Sequence, residues 1–372
     1  MNKKKLIIIK SNILEGDIRI LKEIDVLDSI FKILFLGWNR DPIKKIHFSE
    51  KEITQQLFYL KAPHGKWIII YIPIWWIFIF WKLLLIEWDV AHVFNFDSAI
   101  PVILVAKIKN KKVVYEVLDT YEDSLKIPEI LRRILMKIDK FFLSISDGII
   151  LADSAQIEEF DGINNQNIIT LFDSPPDKFD PNKYKVNSKF ILFYAGALYK
   201  ERKLNLNKII EVMNEIDDIK LIIAGYGDLI PEIQEWEKKM PDKLEFIGKI
   251  SYDEVMDYIM KCDLLFVIRD PSVRVYKYIC GSTLLNAMMC GKPILVNNGV
   301  SSANIVNNEK CGLIIDGNNK EDIKKAILFL KTDTELLKLL GSNGRKAYEK
   351  KFDWKIMEKK LMSFYKNVIV NN

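Results

Sequence analysis

Cysteine and histidine are scarce: the 372 residues include four Cys and three His, and no two cysteines form a Cys-x-x-Cys pair. Because protein zinc sites are built mostly from clustered Cys and His, a zinc site is not expected. Four scattered thiols suit a reducing compartment rather than a disulfide framework. Glycine (16) and proline (12) are also infrequent, which excludes collagen-like and low-complexity chains.

The chain has only a small excess of positive charge, with 55 Lys and Arg against 50 Asp and Glu. The whole excess lies in residues 1–66, which hold 13 basic and 8 acidic side chains. With so balanced a charge and no interleaving of basic and aromatic residues, no nucleic-acid partner is expected. The N-terminal MNKKKLIIIK has too short an apolar run for a signal peptide and is interpreted as a buried strand.

Residues 67–86, WIIIYIPIWWIFIFWKLLLI, are the most apolar segment and follow the basic region directly. Their length approaches the roughly 20 residues of a membrane-spanning helix. Pro73, Lys82 and the polar ring atoms of the aromatic residues favour the membrane interface over the bilayer centre. Three interpretations remain open: a membrane-surface helix, which we favour, a buried core helix and a transmembrane span. The first predicts peripheral membrane contact through this segment and the basic N-terminal domain.

Short apolar strands alternate with helical segments along the chain, which predicts an α/β fold with parallel sheets covered on both faces. The segment DSPPDKFDPNKYK, at 173–185, breaks the alternation and marks a linker. We therefore expect two doubly wound Rossmann-like domains facing across a cleft: residues 1–180, joined by a C-terminal helix at 354–372, and residues 181–353. Ligands of such sheets bind at the carboxyl ends of the strands.

Three motifs in the second half suit a phosphate-bearing ligand. FYAGALYKERKL ends a strand at Gly196 and places Arg202 and Lys203 just before a helix. LIIAGYG follows a strand with glycines, the first of them Gly225, that let backbone approach a ligand. GSTLLN opens a helix at 281–283, where free amides and hydroxyls can meet a phosphate. Each motif alone is also compatible with an ordinary loop or a capped helix.

Further motifs occur in a fixed order. The second half has FIGKIS, YIMKCDLLFVI and LLNAMMCGKPILV, and the first half has EGDIRILKEIDVL, LFLGWNRD, DVAHVFNFDSAIP, VVYEVLDTYEDS and DGIILADS. In this order they resemble the retaining GT-B glycosyltransferases of family 4, group 1, over essentially the whole chain. The resemblance implies a nucleotide-sugar donor, UDP- or GDP-linked, bound by the second domain, with no other cofactor and no metal.

The resemblance and the motifs together assign site residues. Those assigned to donor binding are Gly16, Gly196, Arg202, Lys203, Gly225, Gly248, Lys249, Ile250, Gly281, Ser282, Thr283 and Asn286. The resemblance implies that Arg202 holds the pyrophosphate and that residues 248–250 meet the base. It also implies that Asp97, Glu116 and Asp119 face the sugar and the acceptor from the first domain.

Three positions depart from the family pattern. Asn286 stands where the family usually has a glutamate that binds ribose hydroxyls, and Tyr278 stands at the earlier acidic position of the same motif. Leu118 replaces a histidine common in the first domain. His92 follows a strand and is interpreted either as a residue lining the cleft or as a structural histidine.

The sequence therefore predicts a cytoplasmic glycosyltransferase, peripheral at the inner face of the cell membrane. It would transfer a sugar, with retention, to a lipid-linked or glycan acceptor in cell-surface polysaccharide or glycoprotein synthesis. A catalytically degenerate GT-B scaffold that binds a partner enzyme is the alternative of a different class. A sugar epimerase fits less well, because it does not need the aromatic segment.

Overall fold

The computed structural model of the chain describes residues 3–41, 53–63, 66–120, 127–183, 188–200 and 206–370. The chain forms two compact units. The first domain comprises Met1–Phe172 and Met357–Asn372, and the second comprises Asp173–Ile356. Asp173 is also the first residue of the proline-containing segment.

The first domain contains a parallel sheet of seven strands in the order β3-β2-β1-β4-β5-β6-β7. The strands are β1 (Lys4–Lys10), β2 (Phe31–Asn39), β3 (Thr54–Tyr59), β4 (Val90–Phe94), β5 (Lys112–Val117), β6 (Gly148–Leu151) and β7 (Ile168–Thr170). The strand order changes direction between β1 and β4, as in a doubly wound sheet. The central strands are nearly continuous runs of buried apolar residues, because helices cover the sheet.

The helices of the first domain are α1 (Ile18–Leu27), α2 (Ile72–Leu85), α3 (Phe96–Lys109), α4 (Glu129–Ser144), the short α5 (Gln156–Glu159) and most of α14 (Trp354–Val370). α1 begins where the Asp17 carboxylate accepts a hydrogen bond from the Ile20 amide, at 3.2 Å. α14 packs against β6, because a Cβ on Gly148 would lie 2.5 Å from the Phe364 ring.

The apolar segment at 67–86 forms a one-and-a-half-turn 3₁₀ helix (Lys66–Ile70) and then α2. One face of α2 enters the core through Trp75, Ile79 and Leu83, and Trp75 Nε1 donates to Ser98 Oγ at 3.0 Å. The opposite face leaves apolar side chains exposed, such as Trp81 at 59%. Among the described residues, no helix has the length and apolar character needed to cross a membrane.

The second domain contains a parallel sheet of six strands in the order β10-β9-β8-β11-β12-β13. The strands are β8 (Phe190–Ala197), β9 (Ile219–Tyr226), β10 (Leu244–Gly248), β11 (Leu264–Val267), β12 (Ile294–Asn297) and β13 (Gly312–Ile315). The helices are α6 (Leu206–Asn214), α7 (Ile230–Lys239), α8 (Tyr252–Lys261), α9 (Val275–Tyr278), α10 (Ser282–Met289), α11 (Ser301–Glu309), α12 (Lys320–Thr332) and α13 (Thr334–Ala347). The predicted class, two Rossmann-like α/β domains with doubly wound parallel sheets, is confirmed.

Candidate functional site

A pocket of about 260 Å³ lies at the carboxyl ends of β8, β9 and β10 in the second domain. Ligands of doubly wound sheets bind at this edge, where strand ends and helix N-termini meet. Seven residues that the sequence assigned to donor binding line the pocket: Gly196, Gly225, Lys249, Ile250, Ser282, Thr283 and Asn286. The fold thus gathers residues that are up to 90 positions apart in the sequence.

Glycine backbone forms one side of this pocket. Gly196 and Gly225 are register partners at the ends of β8 and β9. Position 225 requires glycine, because φ is +154° and a Cβ would lie 2.0 Å from the Gly196 carbonyl oxygen. Gly248 also has a positive φ, +72°, but a Cβ there would meet nothing within 4 Å. Bare backbone at 196 and 225 lets a ligand approach the sheet edge closely.

Asn286 lies in α10, 7% exposed, at the side of the pocket. Its Oδ1 accepts a hydrogen bond from the Tyr252 hydroxyl at 3.1 Å. Burial raises the pKa of Tyr252 above its usual value, so the hydroxyl keeps its proton at neutral pH. Sequence reasoning missed Tyr252, although it is the first residue of α8, directly after the cap residue Ser251.

The N-terminus of α10 begins at Gly281, and no side chain caps its amides. The guanidinium of Arg269 lies against this glycine: a Cβ at position 281 would be 2.6 Å from Arg269 Nη2. The same guanidinium stacks over the Tyr276 ring at 4.8 Å from its centroid. A cation beside a helix N-terminus favours an anion. Sequence reasoning missed Arg269 as a site residue, although it comes only two residues after the end of β11.

Three further residues were predicted to bind the donor. Arg202 and Lys203 are outside the described residues, so their predicted contacts remain predictions. Gly16 belongs to the first domain, where it has a φ of +80° in the loop after β1.

The predicted catalytic residues follow or end strands at one edge of the first domain. Asp119 comes two residues after β5 and is exposed. Asp97 lies in the first turn of α3, is 3% exposed, and accepts hydrogen bonds from the hydroxyls of Ser11 and Ser98. Burial raises the pKa of Asp97 to about 6, and those hydroxyl bonds oppose the rise.

Glu116 is fully buried near the end of β5, so it is not accessible to a sugar in this conformation. Its Oε1 accepts from Arg19 Nη2 at 2.6 Å, and its Oε2 is 2.9 Å from His92 Nε2. Burial alone would raise the pKa of Glu116, but Arg19 and His92 outweigh it and lower the pKa to about 2. Glu23, also buried, has a raised pKa because of burial and the neighbouring Glu116 charge.

His92 is fully buried, and Tyr365 of α14 hydrogen-bonds its other ring nitrogen, Nδ1, at 2.8 Å. Both ring nitrogens are thus engaged, which favours the structural interpretation of this histidine. Possible metal-ligand atoms of Glu23, His92 and Glu116 lie within 4.8 Å of one another. Because the Arg19 guanidinium already occupies one oxygen of Glu116, a metal ion would have to compete with a buried cation.

The sequence comparison matches residues 176–347, just under half of the chain, to the family described as Glycosyl transferases group 1. An uncharacterized glycosyltransferase of Methanocaldococcus jannaschii is 33% identical over 163 residues, 43% of each chain. The capsular polysaccharide biosynthesis glycosyltransferase CapM of Staphylococcus aureus is 23% identical over 51% of this chain and 49% of its own length.

A GDP-mannose-dependent phosphatidylinositol monomannoside mannosyltransferase of Mycobacterium tuberculosis is 22% identical over 41% of this chain and 40% of its own. The matched segments thus span less than half of the length of these three relatives.

Solved structures resemble the chain over its whole length. Sucrose-phosphate synthase of Thermosynechococcus elongatus superposes with a TM-score of 0.76, at 14% identity, covering all of both chains. Anabaena HepE in complex with UDP-glucose gives a TM-score of 0.69, at 13% identity, over 98% of this chain and 100% of that one. The chain therefore has the GT-B fold, and residues 176–347 match the group 1 glycosyltransferase family.

Proposed function

We propose that the protein is a glycosyltransferase that moves a sugar from a nucleoside-diphosphate donor to a lipid-linked or glycan acceptor, with retention of configuration. The observation that carries the proposal is the pocket of the second domain, which is lined by seven predicted donor-binding residues. The relatives named for GDP-mannose and capsular polysaccharide, and the fold shared with a UDP-glucose complex, support the donor class and the cell-surface role.

The donor's diphosphate would lie at the N-terminus of α10, close to Arg269. In the reaction the bond from the sugar C1 to the diphosphate breaks, and C1 bonds to the acceptor oxygen, whose proton is released. The departing diphosphate gains negative charge, which helix amides and fixed guanidinium groups stabilise. Arg202 is proposed as a further cation for this charge, so the chemistry would proceed without a metal.

In the first domain, Asp119 is the predicted catalytic carboxylate with solvent access, and we propose that it faces the sugar and acceptor. Asp97 would act beside it, and its raised pKa suits a group that exchanges a proton near neutral pH. Glu116 would act by holding Arg19 and His92 in place rather than by contacting the sugar in the conformation described.

Transfer should be tested with purified protein, UDP- and GDP-sugars and extracted lipid acceptors. Arg202→Ala and Arg269→Ala should each reduce turnover at least about 100-fold if their cations hold the diphosphate. Lys238→Ala, in α7 and outside the pocket, is the matched control and should keep full turnover. Unchanged turnover of both arginine variants would refute the diphosphate assignment.

We further propose that the protein binds the inner face of the cell membrane through the exposed side of α2 and α4. α2 packs on α3, and α3 packs on α4, so these helices cover the same side of the sheet. The exposed apolar residues of this surface, here called the α2–α4 surface, are Ile74, Ile77, Trp81, Leu85, Ile130, Leu131, Ile134, Ile138 and Phe141. Arg133 and Lys137 are exposed on the same helix α4, as expected for contact with anionic lipid.

Vesicle sedimentation with phosphatidylglycerol tests the α2–α4 surface. Ile77→Glu/Trp81→Glu should abolish binding, whereas Leu328→Glu/Phe329→Glu, at exposed apolar positions of α12 in the second domain, should not. Equal binding by all three proteins would refute the membrane proposal. Lys44 and Lys45, in the basic N-terminal region, lie outside the described residues, and we propose that they add to this contact, which Lys44→Glu/Lys45→Glu tests in the same assay.

The alternative function, a degenerate scaffold, is favoured by one observation: Asn286 replaces a charged acceptor and is already hydrogen-bonded to Tyr252. Thermal shift with UDP and GDP separates the two functions. Stabilisation by either nucleotide supports the enzyme, whereas a scaffold without a donor site would show none.

A further inference from the structure

The second domain has a larger cavity at the opposite edge of its sheet from the candidate donor pocket. Its volume is about 970 Å³, and it lies where β8 begins at Phe190 and where Pro293 leads into β12. Residues of α13, including Leu337 and Ser342, form another wall. Small-molecule sites commonly have volumes of about 300–1,000 Å³, so the cavity is large enough for a ligand of its own.

Cationic side chains outnumber acidic ones around this cavity. The cations are Lys189, Lys292, Lys331, Lys338, Arg345 and Lys346, and the acids are Asp218, Asp263 and Glu349. Residues 67–372 as a whole carry equal numbers of basic and acidic side chains, so the excess of positive charge is specific to this cavity. Such an excess favours an anionic ligand.

Some of these cations are already committed within the protein. Arg345 donates to Asp177 at 2.7 Å and to Glu349 at 2.8 Å, which fixes α13 against the linker. Lys189 donates to the Asp242 carbonyl at 2.9 Å. Lys331 and Lys346 have no hydrogen bond or ion pair within the described part of the chain. These two ammonium groups are therefore available to a ligand.

Lys292 adds a buried cation. It is 7% exposed, and burial lowers the pKa of its ammonium group although the charge of Asp263 opposes this. An anion bound beside it would recover part of the desolvation cost of the charged form.

The remaining lining is apolar. Phe179, Phe190, Pro293 and Leu337 contribute carbon surface to the cavity. An inorganic anion would leave this surface exposed to water, whereas a ligand with an apolar part would cover it.

We propose that this cavity is a second ligand site, separate from the donor pocket, for a phosphate monoester with an apolar body. The cation excess, which includes Lys331 just before α13 and Lys346 near its end, would attract the phosphate, and the apolar body would pack against Phe190 and Leu337. Since the site is at the amino ends of the strands, its ligand would not take part in sugar transfer at their carboxyl ends. The inference does not depend on the chain being an active enzyme.

Isothermal titration of the full chain with phenyl phosphate tests the site. Lys331→Glu/Lys346→Glu should weaken binding about 10-fold or more, because two attractive charges become repulsive. Lys238→Glu/Lys325→Glu is the control: it makes the same charge change at exposed lysines outside the cavity and should bind like the wild type. Equal affinity of the two double variants would overturn the proposal.

A second variant keeps the test valid if charge reversal disturbs folding. Ser342→Trp adds an indole at an exposed position of the cavity wall and removes no hydrogen bond found within the described residues. It should also abolish phenyl phosphate binding while thermal unfolding stays unchanged. Full binding by Ser342→Trp, or displacement of phenyl phosphate by UDP, would contradict a separate site.

The source of the phosphate monoester is distinguished by two further probes. Farnesyl phosphate binding more tightly than glucose 1-phosphate would identify a lipid phosphate, and the reverse order would identify a soluble sugar phosphate. Inorganic phosphate binding as tightly as phenyl phosphate would overturn the role of the apolar wall.

Discussion

The two sheets present opposite chemistry at the carboxyl ends of their strands. In the first domain, β4 and β5 carry His92 and Glu116, which are fully buried and paired with each other and with Arg19. In the second domain, β8 and β9 end in Gly196 and Gly225, which leave an open pocket of about 260 Å³. The charged side chains within β4 and β5 are satisfied internally, whereas the edge of the second sheet leaves backbone and cations for a ligand.

This difference indicates how two similar folds can serve different tasks, one fixing its own helices and strands and the other leaving room for a ligand. A buried ion pair costs desolvation energy, but removing one partner costs more, so such a cluster fixes the elements that it joins. The cluster around Glu116 joins β4, β5, α1 and, through Tyr365, α14. The glycine edge, formed by Gly196 and Gly225, has no side chains that could hold neighbouring elements together, but it leaves room for the proposed donor.

The largest expected effect comes from breaking the buried cluster. Glu116→Ala removes the carboxylate that pairs with both Arg19 and His92, leaving Arg19 only Glu23 at 3.2 Å, and should lower the free energy of unfolding of the first domain by about 3–5 kcal/mol. Urea denaturation followed by tryptophan fluorescence measures it. Glu129→Ala is the control, because it removes only exposed pairs with Arg132 and Arg133 and should leave the midpoint almost unchanged. Equal shifts would show that the cluster does not stabilise the domain.

The next effect is a pH dependence that Asp97 contributes. Its folded pKa of about 6 lies above the unfolded value near 3.9, so the folded protein binds more protons between about pH 4 and 6. The free energy of unfolding should therefore fall by about 3 kcal/mol as pH rises through that window. Asp97→Asn should remove this part of the decline. Denaturation curves at pH 4, 5, 6 and 7 measure it, and an unchanged slope would contradict the burial of this carboxyl.

The glycine edge can be broken selectively at Gly225. Gly225→Ala would force a Cβ to 2.0 Å from the Gly196 carbonyl, and the strand ends must separate at a cost of about 1–3 kcal/mol. UDP or GDP affinity should fall at least about 10-fold. Gly162→Ala is the matched control: φ there is +81°, a Cβ meets nothing within 4 Å, and the residue lies in the first domain, so nucleotide affinity should stay unchanged. If both variants lose the same affinity, close packing at 225 is not what shapes the pocket.

The smallest effect concerns Tyr252. Tyr252→Phe removes the hydrogen bond to Asn286 and should weaken nucleotide binding by about 1 kcal/mol, or roughly fivefold. Tyr258 is in the same helix α8, and its ring stacks on Phe193 of β8. Tyr258→Phe should therefore bind nucleotide normally. Titration calorimetry separates them, and identical affinities would remove Tyr252 from the site.

The sequence predicted the α/β class and most elements, because central parallel strands are continuous apolar runs. It did not predict β3 or β7. Both are edge strands: β3, TQQLFY, is half-exposed and partly polar, and β7 has three residues. Edge strands lack the two buried faces that produce a strong hydrophobic pattern. Tyr252 and Arg269 were missed for another reason, since only the fold brings Tyr252 to Asn286 and Arg269 to Gly281.

What the sequence determined by itself is local: the strands, the glycines after them and the helix start at 281–283, because each depends on neighbouring residues. What only the tertiary structure decided is which side chains meet. Arg19 reaches Glu116 across 97 positions and Tyr365 reaches His92 across 273, and no spacing rule reports such contacts. The same packing turned a predicted catalytic glutamate into a buried ion-pair partner, because burial depends on the whole fold and not on the strand that carries the residue.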